Sequence, residues 1–303
     1  MARLVTIGAS RIPCACMPSR SFARPSRSRP PASAGEVIDV EMPEVGAPRR
    51  PADIRAPGAL LLALEGRAPW EFAASVAAAP WLRRLPRGDG HRVLVFPGLA
   101  ANDMTTLPMR AFLRDRGYQT SAWKQGVNLG PREGVLDACR ERLRELHARE
   151  GAPVSLVGWS LGGVYARELA KEMPERVRCV ITLGSPFSGP PTATNAWWLF
   201  ERVSGHPEPD ADMLAALREP PPVPTTSIYS RSDGIVAWQC SLNPVGPLAE
   251  NVEVVASHLG LGLNPLAMMA IADRLAQDPR RWRPFEAEGG LRRWFFKTGR
   301  PAP

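Results

Sequence analysis

The chain has 303 residues and 44% of them are apolar, enough to bury the core of one α/β domain with appendages or of two small domains. Its formal charge of +8 comes mostly from residues 1–34, which hold six of the 38 basic residues and no acidic residue. The rest of the chain has 32 basic and 30 acidic residues, which excludes a broadly basic face and with it a nucleic-acid partner.

No apolar run reaches the roughly 18 residues of a transmembrane helix, and the apolar stretch at 4–9 is too short for a signal peptide. Residues 1–50 are rich in Pro, Arg, Ser and Ala without periodicity, which predicts a disordered leader, although this acid-poor composition also resembles an organelle transit sequence. The cysteines are scattered and odd in number, which favours free buried thiols, a reducing compartment and a cytoplasmic location. They are Cys14, Cys16, Cys139, Cys179 and Cys240.

From residue 57 onward, helical patterns alternate with strand patterns, which predicts an α/β fold with a mostly parallel sheet and helices on both faces. This domain is expected to span 51–285, with a short helical insertion at about 187–222 and a C-terminal tail at 286–303. Strands are predicted at 92–96, 118–123, 154–157, 177–183, 225–231 and 251–257, and helices at 59–65, 69–82, 106–116, 131–150, after Ser160, and at 195–203, 210–218 and 265–277.

The strand at 154–157 runs into Gly158-Trp159-Ser160-Leu161-Gly162, and a helical pattern follows. This G-x-S-x-G motif in a strand–turn–helix context predicts that Ser160 is a nucleophile on a tight, strained turn. Side chains larger than hydrogen at Gly158 and Gly162 would collide with the neighbouring backbone. The alternative is an ordinary glycine-rich turn between a strand and a helix.

A serine nucleophile needs a general base, and in this architecture the base comes last in the chain, at the carboxyl end of a strand. His258 follows the last predicted strand and is the predicted base. The other three histidines fit less well: His91 precedes its strand, His147 lies among charges on a helix, and His206 lies in the insertion.

The base needs an orienting acid, and the tetrahedral intermediate needs two hydrogen-bond donors. Asp233, just after the strand at 225–231, is the predicted acid, with Asp210 and Asp212 in the insertion as alternatives. The donors of the oxyanion hole are predicted to be the backbone N–H groups of Leu161 and Leu99.

These motifs resemble the α/β-hydrolase superfamily, specifically its lipase- and esterase-like serine hydrolases. The resemblance implies an α/β-hydrolase fold and hydrolysis of carboxylic esters through an acyl-enzyme, with no cofactor and no metal. Many members have His-Gly where this chain has Pro97-Gly98, a departure that keeps the backbone donor. The matching segments, all within 91–275, are Pro97-Gly98-Leu99, Gly158 to Gly163, Ser185-Pro186, Ser232 to Val236 and Ser257 to Gly260.

The superfamily places caps where this chain has its insertion, so residues 187–222 are expected either to cover the acyl site as a lid or simply to pack against the domain. The predicted pocket residues are Trp159, Trp197, Trp198 and Phe200, whose apolar rings favour a small-molecule or lipid ester with a medium or long acyl chain. Arg292 to Lys297 are basic and aromatic, which predicts a solvated tail or, as the alternative, weak contact with a membrane surface. The sequence indicates no oligomeric state.

Two other functions remain open at this point. An acyltransferase would use the same triad, with an alcohol or amine in place of water. A catalytically silent scaffold would instead bind a partner, and it predicts a broken triad. Haloalkane or epoxide chemistry is disfavoured, since those relatives have a carboxylate nucleophile where Ser160 stands.

Overall fold

Parallel strands build the centre of the molecule in a computed structural model that describes residues 54–204, 210–244, 246–286 and 292–298. All described residues belong to one structural unit, Pro48–Pro303. The strands are β1 (Arg92–Phe96), β2 (Gln119–Ala122), β3 (Val154–Trp159), β4 (Val177–Leu183), β5 (Thr225–Tyr229), β6 (Ala249–Glu253) and β7 (Lys297–Thr298). Their order in the sheet is β2-β1-β3-β4-β5-β6-β7. Strands β1 to β6 are parallel and β7 is antiparallel to β6, which confirms the predicted α/β fold.

Helices cover both faces of this sheet. They are α1 (Ala59–Ala63), α2 (Ala68–Leu82), α3 (Leu107–Asp115), α4 (Val135–Glu150), α5 (Leu161–Glu172), α6 (Trp197–Ser204), α7 (Ala211–Arg218), α8 (Pro265–Leu275) and α9 (Arg292–Phe295). A 3-10 turn at Leu64–Arg67 joins α1 to α2. Local chemistry sets several ends: Asp210 caps α7, Asn264 caps α8, and Gly151 ends α4 with a left-handed φ of 64°.

The strands are buried on both faces because successive side chains of a strand point to opposite sides of the sheet. In β1, Val93 and Val95 join an apolar cluster that includes residues of α3 and α8. Leu94 and Phe96 join a second cluster, with residues of α4 and α5, on the other face. This two-sided burial explains why the strands read as continuous apolar runs in the sequence.

Some element boundaries differ from the sequence prediction. The helix predicted to open at Pro131 begins at Val135, after Gly134, whose φ of 78° is incompatible with an α-helix. The last predicted strand extended to residue 257, whereas β6 ends at Glu253. Near the C-terminus, β7 pairs with β6 and Phe296 is buried in the core.

Cys139, Cys179 and Cys240 are buried free thiols, as predicted for these three. Cys14 and Cys16 lie outside the described residues, together with the leader at 1–50 and His206. None of the helices in the described ranges is long and apolar enough to cross a membrane.

His91 lies at the amino end of β1, away from the carboxyl ends of the strands. Its Nε2 forms a 2.8 Å hydrogen bond with Ser155 Oγ, and its Nδ1 pairs with Asp89. Burial lowers the pKa of His91 below the usual 6.5, and it outweighs the pairing with Asp89, which acts in the opposite direction. The nearby charge of Arg178 also lowers this pKa. These contacts indicate that His91 has a structural role.

A lowered folded-state pKa means that neutral His91 stabilises the fold above the unfolded pKa of about 6.5, and that this stability is lost as the pH falls. We therefore expect the wild type to lose more free energy of unfolding between about pH 7.5 and pH 5 than His91→Gln does. Urea denaturation at both pH values measures this difference, with His147→Gln as the control. Equal losses in the wild type and His91→Gln would contradict the interpretation.

Candidate active site

Ser160 lies on the turn between β3 and α5 with φ 54° and ψ −125°. This positive-φ conformation costs a non-glycine residue about 1–3 kcal/mol. The glycines around it allow the close approach of backbone. A Cβ at Gly158 would lie 2.3 Å from Gly163 Cα, and one at Gly162 would lie 2.5 Å from the carbonyl oxygen of Phe96. The strand, the strained turn and the helix predicted from the motif are therefore all present.

Asp233 and His258 lie in the loops that follow β5 and β6, which are neighbouring parallel strands. Asp233 Oδ2 is 2.7 Å from His258 Nδ1, and the two residues are 3% and 4% exposed. The other carboxylate oxygen, Oδ1, accepts hydrogen bonds from the backbone N–H groups of Ile235 and Val236 at 2.9 and 2.8 Å. The carboxylate is thus held at one oxygen by its own loop and faces the imidazole with the other.

The end of β4 passes close to this pair at Gly184. A Cβ on Gly184 would lie 3.0 Å from Asp233 Oδ2 and 3.1 Å from His258 Nδ1. The backbone there also has a positive φ of 54°. Both the space and the conformation therefore require glycine at this point.

Opposing effects act on the charge of His258. Its burial disfavours the imidazolium, but the charge of Asp233, their hydrogen bond and the charge of Glu65 outweigh the burial and raise the pKa of His258 above 6.5. Asp233 and Glu65 therefore make it easier for the imidazole to accept a proton.

The structure pairs Asp233 with His258 but shows no hydrogen bond between His258 and Ser160 Oγ within the residues it describes. The connection between them is indirect, because Trp159, next to Ser160, donates a 3.0 Å hydrogen bond from Nε1 to the carbonyl oxygen of His258. Catalytic hydrogen bonds often shorten only when substrate binds.

The loop after β1 carries Leu99, one predicted oxyanion donor, past Ser160, and both Leu99 and the second predicted donor, Leu161, line the cavity at the serine. A Cβ at Gly98 would lie 3.2 Å from Ser160 Cβ, so the backbone around Leu99 passes directly beside the serine. In the described part of the chain, neither the Leu99 N–H nor the Leu161 N–H donates a hydrogen bond. Two free donors near a serine oxygen suit the stabilisation of an oxyanion.

Asn128 holds this loop in place, and sequence reasoning missed it. The side chain is fully buried, and its Nδ2 donates a 2.9 Å hydrogen bond to the carbonyl oxygen of Pro97. Its Oδ1 accepts from Tyr165 Oη at 3.1 Å, and its backbone oxygen accepts from the N–H of Ala100 at 2.7 Å. The position of Asn128 after strand β2, at the carboxyl edge of the sheet, is a signal that could have identified it.

A cavity of about 260 Å³ opens at Ser160, and its lining is mostly apolar. Leu99 and Leu161 line it near the serine, while helices α6 and α7 of the insertion supply the wall. Of the predicted pocket residues, Trp197 and Phe200 line the cavity, with their rings stacked 5.2 Å apart. Trp198 is 65% exposed and does not line the cavity, because it lies on a different side of α6.

Trp159 also lies elsewhere than predicted. It is 8% exposed and is absent from the cavity lining. Its ring packs against Gly262, where a Cβ would lie 3.0 Å from the indole. Since its Nε1 also binds the His258 carbonyl, Trp159 supports the loop that carries His258 and does not form a wall of the pocket.

The acid that pairs with His258 in the described residues is Asp233, and neither alternative acid forms a hydrogen bond or ion pair with it. Asp210 Oδ1 accepts a 2.8 Å hydrogen bond from the backbone N–H of Met213 and caps α7, and Asp212 lies exposed in the first turn of that helix. His147 Nδ1 is 3.1 Å from the carbonyl oxygen of Ala152, on the surface near the end of α4. Across the described ranges, no group of three His, Cys, Asp or Glu residues is placed to hold a metal ion.

A model of the alpha/beta hydrolase family matches residues 115–299, which is more than half of the chain. The chain belongs to the alpha/beta hydrolase family. The resemblance inferred from the sequence motifs is therefore confirmed at the level of the family. No curated protein matches the sequence.

Solved structures of other alpha/beta hydrolases are similar to this chain. Aspergillus fumigatus lipase B has a TM-score of 0.50 and 21% identity over 64% of this chain and 55% of its own, so the chain spans about half the length of that lipase. Bacillus licheniformis lipase BlEst2 in its mature form has a TM-score of 0.49 and 16% identity over 64% and 95%. The mouse alpha/beta hydrolase domain-containing protein 10 has a TM-score of 0.42 and 18% identity over 62% and 90%. At 21% identity, the similarity to Aspergillus fumigatus lipase B shows the fold alone.

The position of Asn128 leads to a test of the predicted oxyanion loop. Asn128→Ala leaves the Pro97 carbonyl without its donor, so we expect the loop to shift and kcat for a p-nitrophenyl ester to fall by about 10- to 100-fold. Tyr165→Phe removes only the hydroxyl that donates to Asn128 Oδ1 and should cost less. Steady-state kinetics on the two folded variants checks the order. A larger loss in Tyr165→Phe would contradict the assignment.

Proposed function

We propose that the chain is a serine hydrolase that cleaves carboxylic esters through an acyl-enzyme intermediate. The observation that carries this proposal is the buried 2.7 Å pair of Asp233 and His258, connected through Trp159 to the strained turn of Ser160. A serine on such a turn, followed in the chain by an acid and a histidine, supplies a nucleophile, an orienting acid and a general base.

In the first half of the proposed reaction, Ser160 Oγ attacks the ester carbonyl and His258 takes the hydroxyl proton. Asp233 holds the imidazole through Nδ1, so that Nε2 is the nitrogen that accepts this proton, and its charge stabilises the imidazolium. The Leu99 and Leu161 N–H groups bind the oxyanion, and one such donor is typically worth about 3 kcal/mol of the barrier.

In the second half, the tetrahedral intermediate collapses and the alcohol leaves with the proton from His258. A water molecule then gives a proton to His258 and attacks the acyl group on Ser160. The acid is released as Ser160 recovers its proton. Every proton and bond is accounted for by these side chains, the ester and water.

The lining of the cavity supports an ester with an apolar group. Leu99, Leu161, Trp197, Phe200 and Leu214 surround the space next to Ser160. The acidic lining residues Glu168 and Glu172 pair with Lys171 and Arg140. An apolar acyl chain buries more apolar surface here than a polar or charged one.

Replacement of the nucleophile tests the mechanism. We expect Ser160→Ala to lose nearly all p-nitrophenyl ester hydrolysis, on the order of a millionfold in kcat if the three residues act as a unit. A fluorophosphonate probe should label wild-type Ser160 and leave Ser160→Ala unlabelled, with peptide mass spectrometry as the readout. Labelling elsewhere, or no labelling of the folded wild type, would sink the proposal.

The same assay separates the other functions. A competing alcohol that diverts most of the acyl group into a new ester would indicate an acyltransferase. Folded protein with neither labelling nor turnover would indicate a catalytically silent scaffold.

The two neighbouring tryptophans of α6 provide a matched pair for the acyl site. Trp197 lines the cavity and Trp198 is exposed, so the two substitutions remove indoles from two different sides of one helix. We expect Trp197→Ala to shift the optimum of a p-nitrophenyl ester chain-length series toward longer chains, because it enlarges the cavity. Trp198→Ala should keep the wild-type optimum. Equal shifts in both variants would contradict this account of the pocket.

A further inference from the structure

Glu65 is a buried carboxylate that the proposed reaction does not use. It lies on the 3-10 turn Leu64–Arg67, far from the triad residues in sequence, and is 6% exposed. Its Oε1 accepts hydrogen bonds from the backbone N–H groups of Gly234 and His258 at 2.7 and 2.8 Å. Its Oε2 accepts from the N–H of Leu259 at 2.8 Å. One carboxylate therefore joins the loop of the acid to the loop of the base.

The surrounding contacts show how firmly this turn is held against the two loops. Arg67 Nη2 donates to the carbonyl oxygen and to Oγ of Ser232, at 2.9 and 2.8 Å. Glu71 Oε1 accepts from the N–H of Ser257 at 2.7 Å and pairs with Arg67 at 3.0 Å. The residues directly beside Asp233 and His258 are thus fixed from the same N-terminal segment.

The site uses the carboxylate of Glu65 both as a hydrogen-bond acceptor and as a negative charge. An ionised carboxylate accepts at both oxygens, whereas an amide of the same shape would place a donor against the Leu259 N–H. Glu65 forms no ion pair with a basic side chain in the described ranges, so its charge is balanced by backbone dipoles. Burying such a charge is costly unless it is well hydrogen-bonded. A second negative charge beside the imidazole also favours the imidazolium that forms during the reaction.

We propose that Glu65 is a positioning residue of the active site, which fixes His258 relative to Asp233 through their loop backbones and stabilises the imidazolium by its charge. This role rests on the proposed function insofar as it concerns turnover. The effect on the imidazole itself does not depend on which substrate the enzyme takes.

The charged groups that face His258 define the expected effect on pH dependence. Asp233 faces it from the β5 loop and Glu65 from the N-terminal segment, and both raise the pKa of His258. Arg67 and Glu71 pair with each other at the neighbouring backbone. Glu65→Gln removes one of the two charges that favour the imidazolium, so the pKa of His258 should fall.

Glu65→Gln is the test variant and Glu71→Gln is its matched control, since both lie on the same segment and bind the same loop. For Glu65→Gln we expect kcat/KM for a p-nitrophenyl ester to fall by about 10- to 100-fold at its pH plateau. The acidic limb of the pH profile should move to lower pH, because it reports the protonation of the free base. Glu71→Gln should leave the position of this limb unchanged.

The NMR titration of the His258 imidazole, assigned with His258→Gln, gives a readout that needs no substrate. A lower His258 pKa in Glu65→Gln than in the wild type supports the proposal, and an unchanged pKa overturns it. A wild type that neither hydrolyses the ester nor labels at Ser160, while the pKa still falls, would reject the proposed function and keep the role of Glu65 toward the imidazole.

Glu65→Asp serves if Glu65→Gln does not fold. It keeps the charge but shortens the side chain, so it cannot reach all three N–H groups. We expect a lower plateau for kcat/KM with an acidic limb close to that of the wild type. A wild-type plateau in folded Glu65→Asp would overturn the positioning role.

Discussion

The buried hydrogen bond between Asp233 and His258 is the interaction on which the rest of the site depends. It can form because β5 and β6 are neighbouring parallel strands, so the loops that follow them leave the same edge of the sheet side by side. The pair is almost completely removed from water. In the protein interior, a charged hydrogen bond is stronger than it would be in solvent. The same burial makes any loss of alignment costly, because an unpaired buried charge has no solvent to replace its partner.

The backbone around this pair is under tight steric constraint. Ser160 holds a positive φ, and Gly158, Gly162 and Gly184 stand where a Cβ would meet backbone or the acid–imidazole pair itself. Strain of about 1–3 kcal/mol at the serine persists only if the surroundings leave it no alternative. The registers of β3 with β1 and β4 on either side provide that constraint. The sheet therefore fixes the turn that carries Ser160, whereas loops after β5 and β6 position Asp233 and His258.

The sequence predicts the parts of this arrangement that are local. The buried strands read as apolar runs because both faces of the sheet are covered, and the elbow motif carries its own strand, turn and helix. Asp233 and His258 could be predicted although both of their strands end earlier than expected, because the rule concerns the loop after a strand and not its last residue. The predicted start of α4 at Pro131 was wrong, because the left-handed Gly134 precedes the helix, which begins at Val135.

The parts that the sequence does not predict are those made by contacts between distant residues. Trp159 was expected in the pocket from its place beside Ser160. It is however the last residue of β3, and its side chain lies with that of Val157 in the apolar cluster that includes α3 and α8, where its Nε1 binds the His258 carbonyl. Glu65 gave one signal, a lone acid at the end of the apolar run Leu60–Leu64, since such a residue needs partners if it is buried. The partners of Glu65 could not be predicted from the sequence. They are backbone N–H groups of loops that come close to Glu65 only when the sheet has formed.

Contacts between residues distant in sequence also position the wall of the cavity. Helix α7 has eight residues and no buried side chain, so its own packing gives it little stability. Its C-terminal carbonyl groups accept hydrogen bonds from Arg167 and Lys171, both on α5, the helix that starts at the elbow. Cations at this end also interact favourably with the helix dipole. The helix that starts at the turn of Ser160 therefore also anchors the wall of the cavity, partly through Arg167, which is fully buried and does not line the cavity.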